Sequence, residues 1–264
     1  MINNFKFKKN LGQNFLKNEN IINKIIDKAD INPNSLIIEI GPGGGALTKK
    51  LIKKSKYVLA YEIDQELNNI LNVLKNKNNN LNIIFDNFLN RDLKEDIAGY
   101  KVDSIYIIAN LPYYITTPII QKIIDEQINI KQMILMVQKE VGERFSAQPG
   151  NKAYNSLTVF LNYYFNIKKL FIVNKNNFIP IPKVDSMVVS FSQKSKIKLI
   201  NEALFFKIVK ESFKYKRKTI KNNLKDYDLN KIEKVLIENN FNLNTRAEQI
   251  PLEVFGDIAN ELSI

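Results

Sequence analysis

LIIEIGPGGGALTKKL, residues 36–51, begins with a short apolar run, turns on glycines and continues with apolar and basic residues at helical spacing. An apolar run of this length bounded by glycine reads as a buried strand over 36–40, and GGALTKKLIKKS reads as a helix opened by the glycines. Gly41, Gly43 and Gly45 allow a sharp turn and a close backbone approach to a ligand at the carboxyl end of that strand. The spacing is not the dinucleotide fingerprint, whose third glycine would fall on Ala46. No Gly-Lys-Ser/Thr follows either, so a pyrophosphate is not the implied ligand. Taken alone, the turn reads equally as a ligand loop and as a glycine-rich connection.

Outward from this turn, strand and helix signals alternate. ENIINKIIDKAD (19–30) is an amphipathic helix before it. YVLAYEI (57–63) is a second strand, DQELNNILNVLKNK a helix with Asp64 as N-cap, and LNIIFD (81–86) a third strand. SIYIIAN (104–110) is a fourth, TPIIQKIIDE a helix with Thr117 as cap before a first-turn Pro118, and QMILMVQ (132–138) a fifth. This repetition predicts a mostly parallel sheet with helices on both faces. LFIVNKNNF and DSMVVSFSQ flank the proline-stiffened IPIPKV and are expected as an antiparallel pair at the sheet edge. Beyond about residue 196 only helical spacing remains, in NEALFFKIVKESFKYKRKTIKNNL, LNKIEKVLIENN and LEVFGDIANEL. The expected division is therefore 1–195 for an α/β domain and 196–264 for a small all-helical one, with the boundary in QKSKIK.

The chain of 264 residues contains neither cysteine nor histidine. Disulfides, thiol nucleophiles, Ser-His-Asp hydrolysis and histidine general bases are excluded, and a zinc site is not expected. An enzyme of this composition must work with carboxylates, amides, backbone groups, tyrosine or lysine, or with a cofactor that carries the reactive group. The formal net charge of +12 fits a polyanionic partner, although a Lys-, Asn- and Ile-rich composition bias produces the same excess. No apolar run reaches the roughly 18 residues of a membrane span, and MINNFKFKKN lacks a signal-peptide core, so a cytosolic location is expected.

The ends of successive strands carry polar residues. Glu62 follows the glycines by about 20 residues, where an acidic side chain accepts hydrogen bonds from ribose hydroxyls. Asp86 ends the third strand and Asn110 the fourth. Each alone reads as a helix cap or turn residue; together they line one crevice. Asn110-Leu111-Pro112-Tyr113 offers an amide acceptor, a stiffened backbone carbonyl and a flat ring. Those groups suit a planar heterocycle with an exocyclic amine, and they equally suit a stiff strand-to-helix turn with packed tyrosines.

At these residues the chain resembles a known family. NLPY, GPGGGALT and YEID resemble S-adenosylmethionine-dependent methyltransferases that act on adenine amines. GQNFL (12–16), QKEVGERF (138–145), FIPIPKVDS (178–186) and FKYKRKTIKNNL (213–224) resemble the small-subunit ribosomal RNA adenine dimethyltransferases, the KsgA family, more than the related Erm enzymes of large-subunit RNA. The resemblance implies a Rossmann-like methyltransferase sheet, S-adenosylmethionine as cofactor, and small-subunit rRNA or the 30S particle as partner. A non-catalytic assembly factor on this fold is the rival.

By resemblance, Asn14 and Leu16 close over the cofactor, Gly41 and Gly43 approach it, Glu62 holds its ribose and Asp86 its adenine amine. Asn110 stands between cofactor and substrate. Leu111 or Pro112 supplies a carbonyl to the target amine and Tyr113 stacks on the base, while Tyr114 packs and Glu39 and Asp64 are structural. The RNA-binding candidates are FKFKK at 5–9, Arg144, Lys183, and Lys216, Arg217 and Lys218. In the last group the family more often carries paired arginines, and lysine lacks the bidentate fork. Nothing suggests more than a monomer.

Overall fold

The computed structural model describes residues 7–8 and 11–264, with only the backbone of Tyr114. Of the basic start FKFKK, Phe7 and Lys8 are therefore described; Phe5, Lys6 and Lys9, like the expected packing of the Tyr114 side chain, lie outside the described residues. The strands are β1 (Phe15–Leu16), β2 (Ser35–Ile40), β3 (Tyr57–Tyr61), β4 (Leu81–Ile84), β5 (Ser104–Asn110), β6 (Ile130–Gln138), β7 (Phe165–Val173), β8 (Phe178–Ile179) and β9 (Ser186–Gln193). Seven of them form one sheet in the order β4-β3-β2-β5-β6-β9-β7. Pairing is parallel from β4 through β6, and β9 runs antiparallel to β6. This is the mostly parallel α/β sheet with an antiparallel edge that the alternation predicts.

β2 sits in the interior of this sheet, and all six of its residues are buried. That explains the unbroken LIIEI run: a strand covered on both faces has no solvent side for polar residues to alternate onto. Leu36, Ile37 and Ile38 are fully buried, and each such side chain contributes about 1.5–3 kcal/mol relative to exposure.

Three local expectations change. The helix after the glycines is short, Thr48–Leu51. Thr117 is no cap: a turn of 3₁₀ helix over Tyr113–Ile115 feeds directly into the helix Thr116–Asp125, so Thr117 and Pro118 both fall in its first turn. The segment between β7 and β9 is more than a loop, since β8 pairs antiparallel with β1 in a separate two-stranded sheet, Phe15 opposite Ile179 and Leu16 opposite Phe178.

The chain divides into two compact units. One runs to Gly142 and resumes at Lys168–Gln193; the other comprises Glu143–Ile167 and Lys194–Ile264. The division differs from 195/196 chiefly because 143–167 belongs to the helical unit. Its helix Ser156–Tyr164 buries Val159 and Tyr163 in a core with Phe205, Ile208, Leu236 and Phe255. Within that unit the expected long helix over 201–224 breaks: Glu202–Ser212 and Ile220–Asn223 are helical, and the basic residues lie on the turn between them.

Candidate active site

A parallel sheet opens a crevice where neighbouring strands send their connections to opposite sides, beyond their carboxyl ends. Here that point lies between β2 and β5. From β2 the chain proceeds outward to β3 and β4, then crosses back over residues 85–103 to β5 on the other side of β2. Gly41, Glu62, Asp86 and Asn110 follow or end β2, β3, β4 and β5, and all four line one crevice together with Asn14, Gly43, Leu111, Pro112 and Tyr113.

Two glycines shape its floor. Gly41 (φ +72°) leaves β2 in the left-handed region and donates its N–H to the Tyr61 carbonyl at 2.9 Å. Gly43 (φ +56°) approaches the Phe15 ring so closely that a Cβ would stand 2.8 Å from a ring carbon. Its N–H donates to Glu62 Oε2 at 3.0 Å, tying the glycine turn to the acidic side chain.

The strand-end polar groups are not helix caps. Capping falls to their neighbours: Asp64 accepts from the Glu66 N–H and Asn87 from the Leu89 N–H, while the turn after Asn110 begins at Pro112 with no side-chain cap. Glu62 is instead nearly buried, accepting one backbone N–H on each oxygen, from Gly43 at 3.0 Å and Asp64 at 2.9 Å. Burial raises its pKa against these hydrogen bonds. Each oxygen retains a further acceptor site for hydroxyls. Asp86 accepts from the Asn87 N–H at 2.7 Å and lies 3.6 Å from an Arg91 nitrogen. Arg91 is itself gripped by Asp96 at 2.6 and 3.1 Å, and the Tyr61 hydroxyl donates to the same carboxylate. Glu39, wholly inside β2, is pushed up to about 8 by burial, which favours its neutral form beside Glu62.

Asn110 is held in one orientation. Its Nδ2 donates to the Asn14 carbonyl at 3.0 Å, and a carbonyl can only accept, so Oδ1 must face the other way. Among the described residues Oδ1 has no partner. The next two carbonyls differ in the same respect. That of Pro112 takes the Ile115 N–H at 3.3 Å and the Thr116 hydroxyl at 3.4 Å, whereas that of Leu111 accepts nothing among the described residues. Two acceptors without a partner among the described residues, Asn110 Oδ1 and the Leu111 carbonyl, thus stand side by side in the chain at a crevice wall.

The Tyr113 hydroxyl and the buried Ser186 hydroxyl, at the start of β9, share a hydrogen bond of 2.7 Å. Burial raises the phenol pKa, so the ring is neutral at physiological pH. The hydroxyl is engaged by Ser186, while the residue still lines the crevice. Tyr113→Phe is therefore expected to retain activity within about tenfold, the loss of one hydrogen bond; a phenylalanine variant that binds cofactor normally yet is inactive would give the hydroxyl a chemical role.

Not all predicted residues meet here. Leu16 does not line the crevice; on β1 the side chains alternate, so Phe15 lines it and Leu16 is buried in the core. Lys183 is exposed on the segment between β8 and β9. Arg144 belongs to the helical unit, where its carbonyl accepts the Thr158 hydroxyl at 2.8 Å. In that same unit Lys216, Arg217 and Lys218 are exposed on a turn organised by Asn223, which accepts from the Tyr215 N–H at 3.2 Å and donates to the Ser212 carbonyl at 2.7 Å. The crevice also uses residues of the YEID and GQNFL motifs to which the resemblance assigns no role. Ile63 is 46% exposed despite following a buried strand, an apolar surface beside Glu62 that suits a nucleoside ring. Gln13 lines the wall as well.

Comparisons with known proteins agree with this architecture. The family model described as ribosomal RNA adenine dimethylase matches residues 4–263. The ribosomal RNA small subunit methyltransferase A of Clostridium botulinum (strain Kyoto / Type A2) is 42% identical over 260 residues, which is 97% of this chain and 94% of that protein. Among solved structures, a dimethyladenosine transferase from Plasmodium falciparum is similar with TM-score 0.75 at 27% identity, over 92% of this chain and 95% of that one. The 23S rRNA methyltransferase ErmE reaches TM-score 0.77 at 22% identity, over 95% and 100%, a likeness of fold.

Proposed function

The chain belongs to the ribosomal RNA adenine dimethylase family, an rRNA adenine dimethyltransferase with S-adenosylmethionine as methyl donor, and from that premise we propose how its own residues act and on which RNA. The substrate is the pair of adjacent adenosines in a hairpin near the 3′ end of 16S rRNA, presented by small-subunit particles in the cytoplasm to a monomeric enzyme. The observation that carries the chemistry is the pinned amide of Asn110, with its Oδ1 and the Leu111 carbonyl both without a partner among the described residues.

The crevice suits the cofactor on its own terms. Gly41 leaves open space at the crevice where a Cβ would meet only Pro112, Gly43 lets the Phe15 ring close against the turn, Glu62 offers spare acceptor capacity for the ribose hydroxyls, and Asp86 an acceptor for the adenine amine. Asn14 and Asn110 complete the wall. When bound, S-adenosylmethionine supplies an electrophilic methyl group, so the chain needs neither metal nor nucleophilic side chain.

The protein's task is the nucleophile. The lone pair of an adenine amine is delocalised into the ring, and a duplex base must first be extruded. Asn110 Oδ1 and the Leu111 carbonyl accept the two amine hydrogens, which favours a pyramidal nitrogen and aims its lone pair. The Tyr113 ring stacks on the base. Because Nδ2 is committed to Asn14, the amide cannot turn its donor end toward the substrate; the preorganised acceptors stabilise the developing positive charge on nitrogen. Asn110 is no base at neutral pH, so the proton leaves to solvent. After one methylation a single hydrogen remains for one acceptor, and the new methyl takes the place of the other hydrogen.

Lys216, Arg217, Lys218, Arg144 and Lys183 are the proposed phosphate contacts, with 143–167 and 194–264 serving as the RNA-binding helical unit; Lys8, from the basic start, is instead engaged by Asp64 and Glu66. The deciding experiment supplies small- and large-subunit particles from an unmethylated strain together with S-adenosylmethionine and maps the modified bases. Dimethylation of two adjacent adenosines near the 16S 3′ end is expected. Modification of a large-subunit adenine instead would identify an Erm-type enzyme, and failure to bind S-adenosylmethionine by calorimetry would identify a non-catalytic assembly factor.

A further inference from the structure

Residues Leu11 to Phe15 form one wall of the crevice and are remote in sequence from every strand they meet. Gln13 Nε2 donates to Asp64 Oδ2 at 2.6 Å, and Gln13 Oε1 accepts the Lys8 N–H at 2.7 Å. Lys8 Nζ donates to Asp64 Oδ1 at 2.6 Å and stands 3.0 Å from Glu66. The next residue along, Asn14, is bound through its carbonyl to Asn110. Asp64 follows β3 and Asn110 ends β5, the two neighbours of β2. Two consecutive residues are therefore tied to opposite sides of β2, and the segment bridges the switch point from which the crevice opens.

Asp64 is buried at 2% exposure. Burial alone would raise its pKa, and the hydrogen bonds from Lys8 and Gln13 outweigh it, holding the carboxyl below the usual range. Its backbone N–H donates to Glu62 Oε1. One residue thus joins the strap to the carboxylate assigned to the cofactor ribose. Both polar atoms of the Gln13 amide are engaged within this cluster, so Gln13 acts through the strap and not as a ligand itself.

We propose that Gln13 and Lys8, latched to Asp64, are positioning residues that hold the 11–15 strap as the wall of the cofactor crevice and so set cofactor affinity. The inference rests on reading the crevice as the S-adenosylmethionine site. Gln13→Glu sets two carboxylates against each other. The double variant Gln13→Glu, Asp64→Asn exchanges acceptor and donor and restores the contact, with the oxygen of the new amide left for Lys8 and the Glu66 N–H.

The test measures S-adenosylmethionine binding by calorimetry, with KM and kcat on small-subunit particles. Gln13→Glu is expected to raise Kd and the cofactor KM about tenfold, with kcat at saturating cofactor changing much less, because a hydrogen bond to a charged group is worth roughly this factor or more. The double variant should return Kd to within about threefold of the original. Glu62→Gln serves as the control for the site. If Glu62→Gln weakens binding while Gln13→Glu does not, or if the double variant binds no better than Gln13→Glu, the latch is overturned and the cofactor site stands. A loss in kcat with KM unchanged would also overturn it. If the original protein does not bind the cofactor, or Glu62→Gln and Gln13→Glu both bind as it does, the cofactor reading itself fails.

Discussion

Asn110→Ala is expected to lower the rate of both methyl additions on the order of a thousandfold, the scale seen when one preorganised polar group is removed from a developing charge. The substitution deletes Oδ1, one of the two acceptors offered at the crevice wall, and it also frees the Asn14 carbonyl from its 3.0 Å donor. The two losses can be separated. Asn110→Asp keeps an acceptor but cannot donate to Asn14; two oxygens then face each other, and the side chain must turn away from its place. Asn110→Asp is thus expected to fail nearly as completely, because the orientation matters as much as the acceptor. Single-turnover methyl transfer at saturating cofactor, with monomethyl and dimethyl adenosine separated by chromatography, reads both steps. An alanine variant that keeps about a tenth of the rate, or one that stops only the second addition, would remove Asn110 from the role of amine holder for the first.

How far such roles could be read from sequence depends on the range of the interaction. The β2 run, the glycine turn and the alternation that follows are local, and burial on both faces writes itself into LIIEI directly. Whether Glu62, Asp86 and Asn110 cap helices or face a ligand is decided by what the next residues do. Asp64 is legible as a cap in DQELNN and the structure bears it out, but only the structure shows Asn87 taking the cap after Asp86. The strap is harder still. Its strand is two residues long, too short for a periodicity of two to be visible, so a one-residue difference separates Phe15 in the crevice from Leu16 in the core. Gln13 and Asp64 are 51 positions apart, and no local pattern couples them.

The helical unit shows the same limit from another side. FKYKRKTIKNNL keeps apolar residues at helical spacing, yet the helix stops at Ser212 because Asn223 satisfies the Ser212 carbonyl and the Tyr215 N–H from outside. Likewise 143–167 joins a core whose other members lie beyond residue 204, and contiguity in sequence gives no hint of it.

The break in that helix bears on the second large effect. All residues from Lys214 to Lys218 are exposed on the turn, so four cationic side chains, Lys214, Lys216, Arg217 and Lys218, converge on a short stretch of backbone and do not spread around a helix face. Reversing Lys216, Arg217 and Lys218 to Glu is expected to weaken RNA binding about 500-fold at 0.1 M salt. Each phosphate contact releases counterions worth a slope of about 0.9 in log K against log salt, so three contacts contribute about 2.7 decades between 1 M and 0.1 M. The slope itself should become shallower by about that amount, and this is the more discriminating reading. Misfolding would lower affinity too, but it would not leave S-adenosylmethionine binding intact while removing a slope of defined size. Binding isotherms on the hairpin RNA at several salt concentrations, with calorimetric cofactor binding alongside, measure all three quantities. A variant whose affinity falls at unchanged slope would show that the turn touches no phosphates, and Arg144 and Lys183 would then have to account for the salt dependence by themselves.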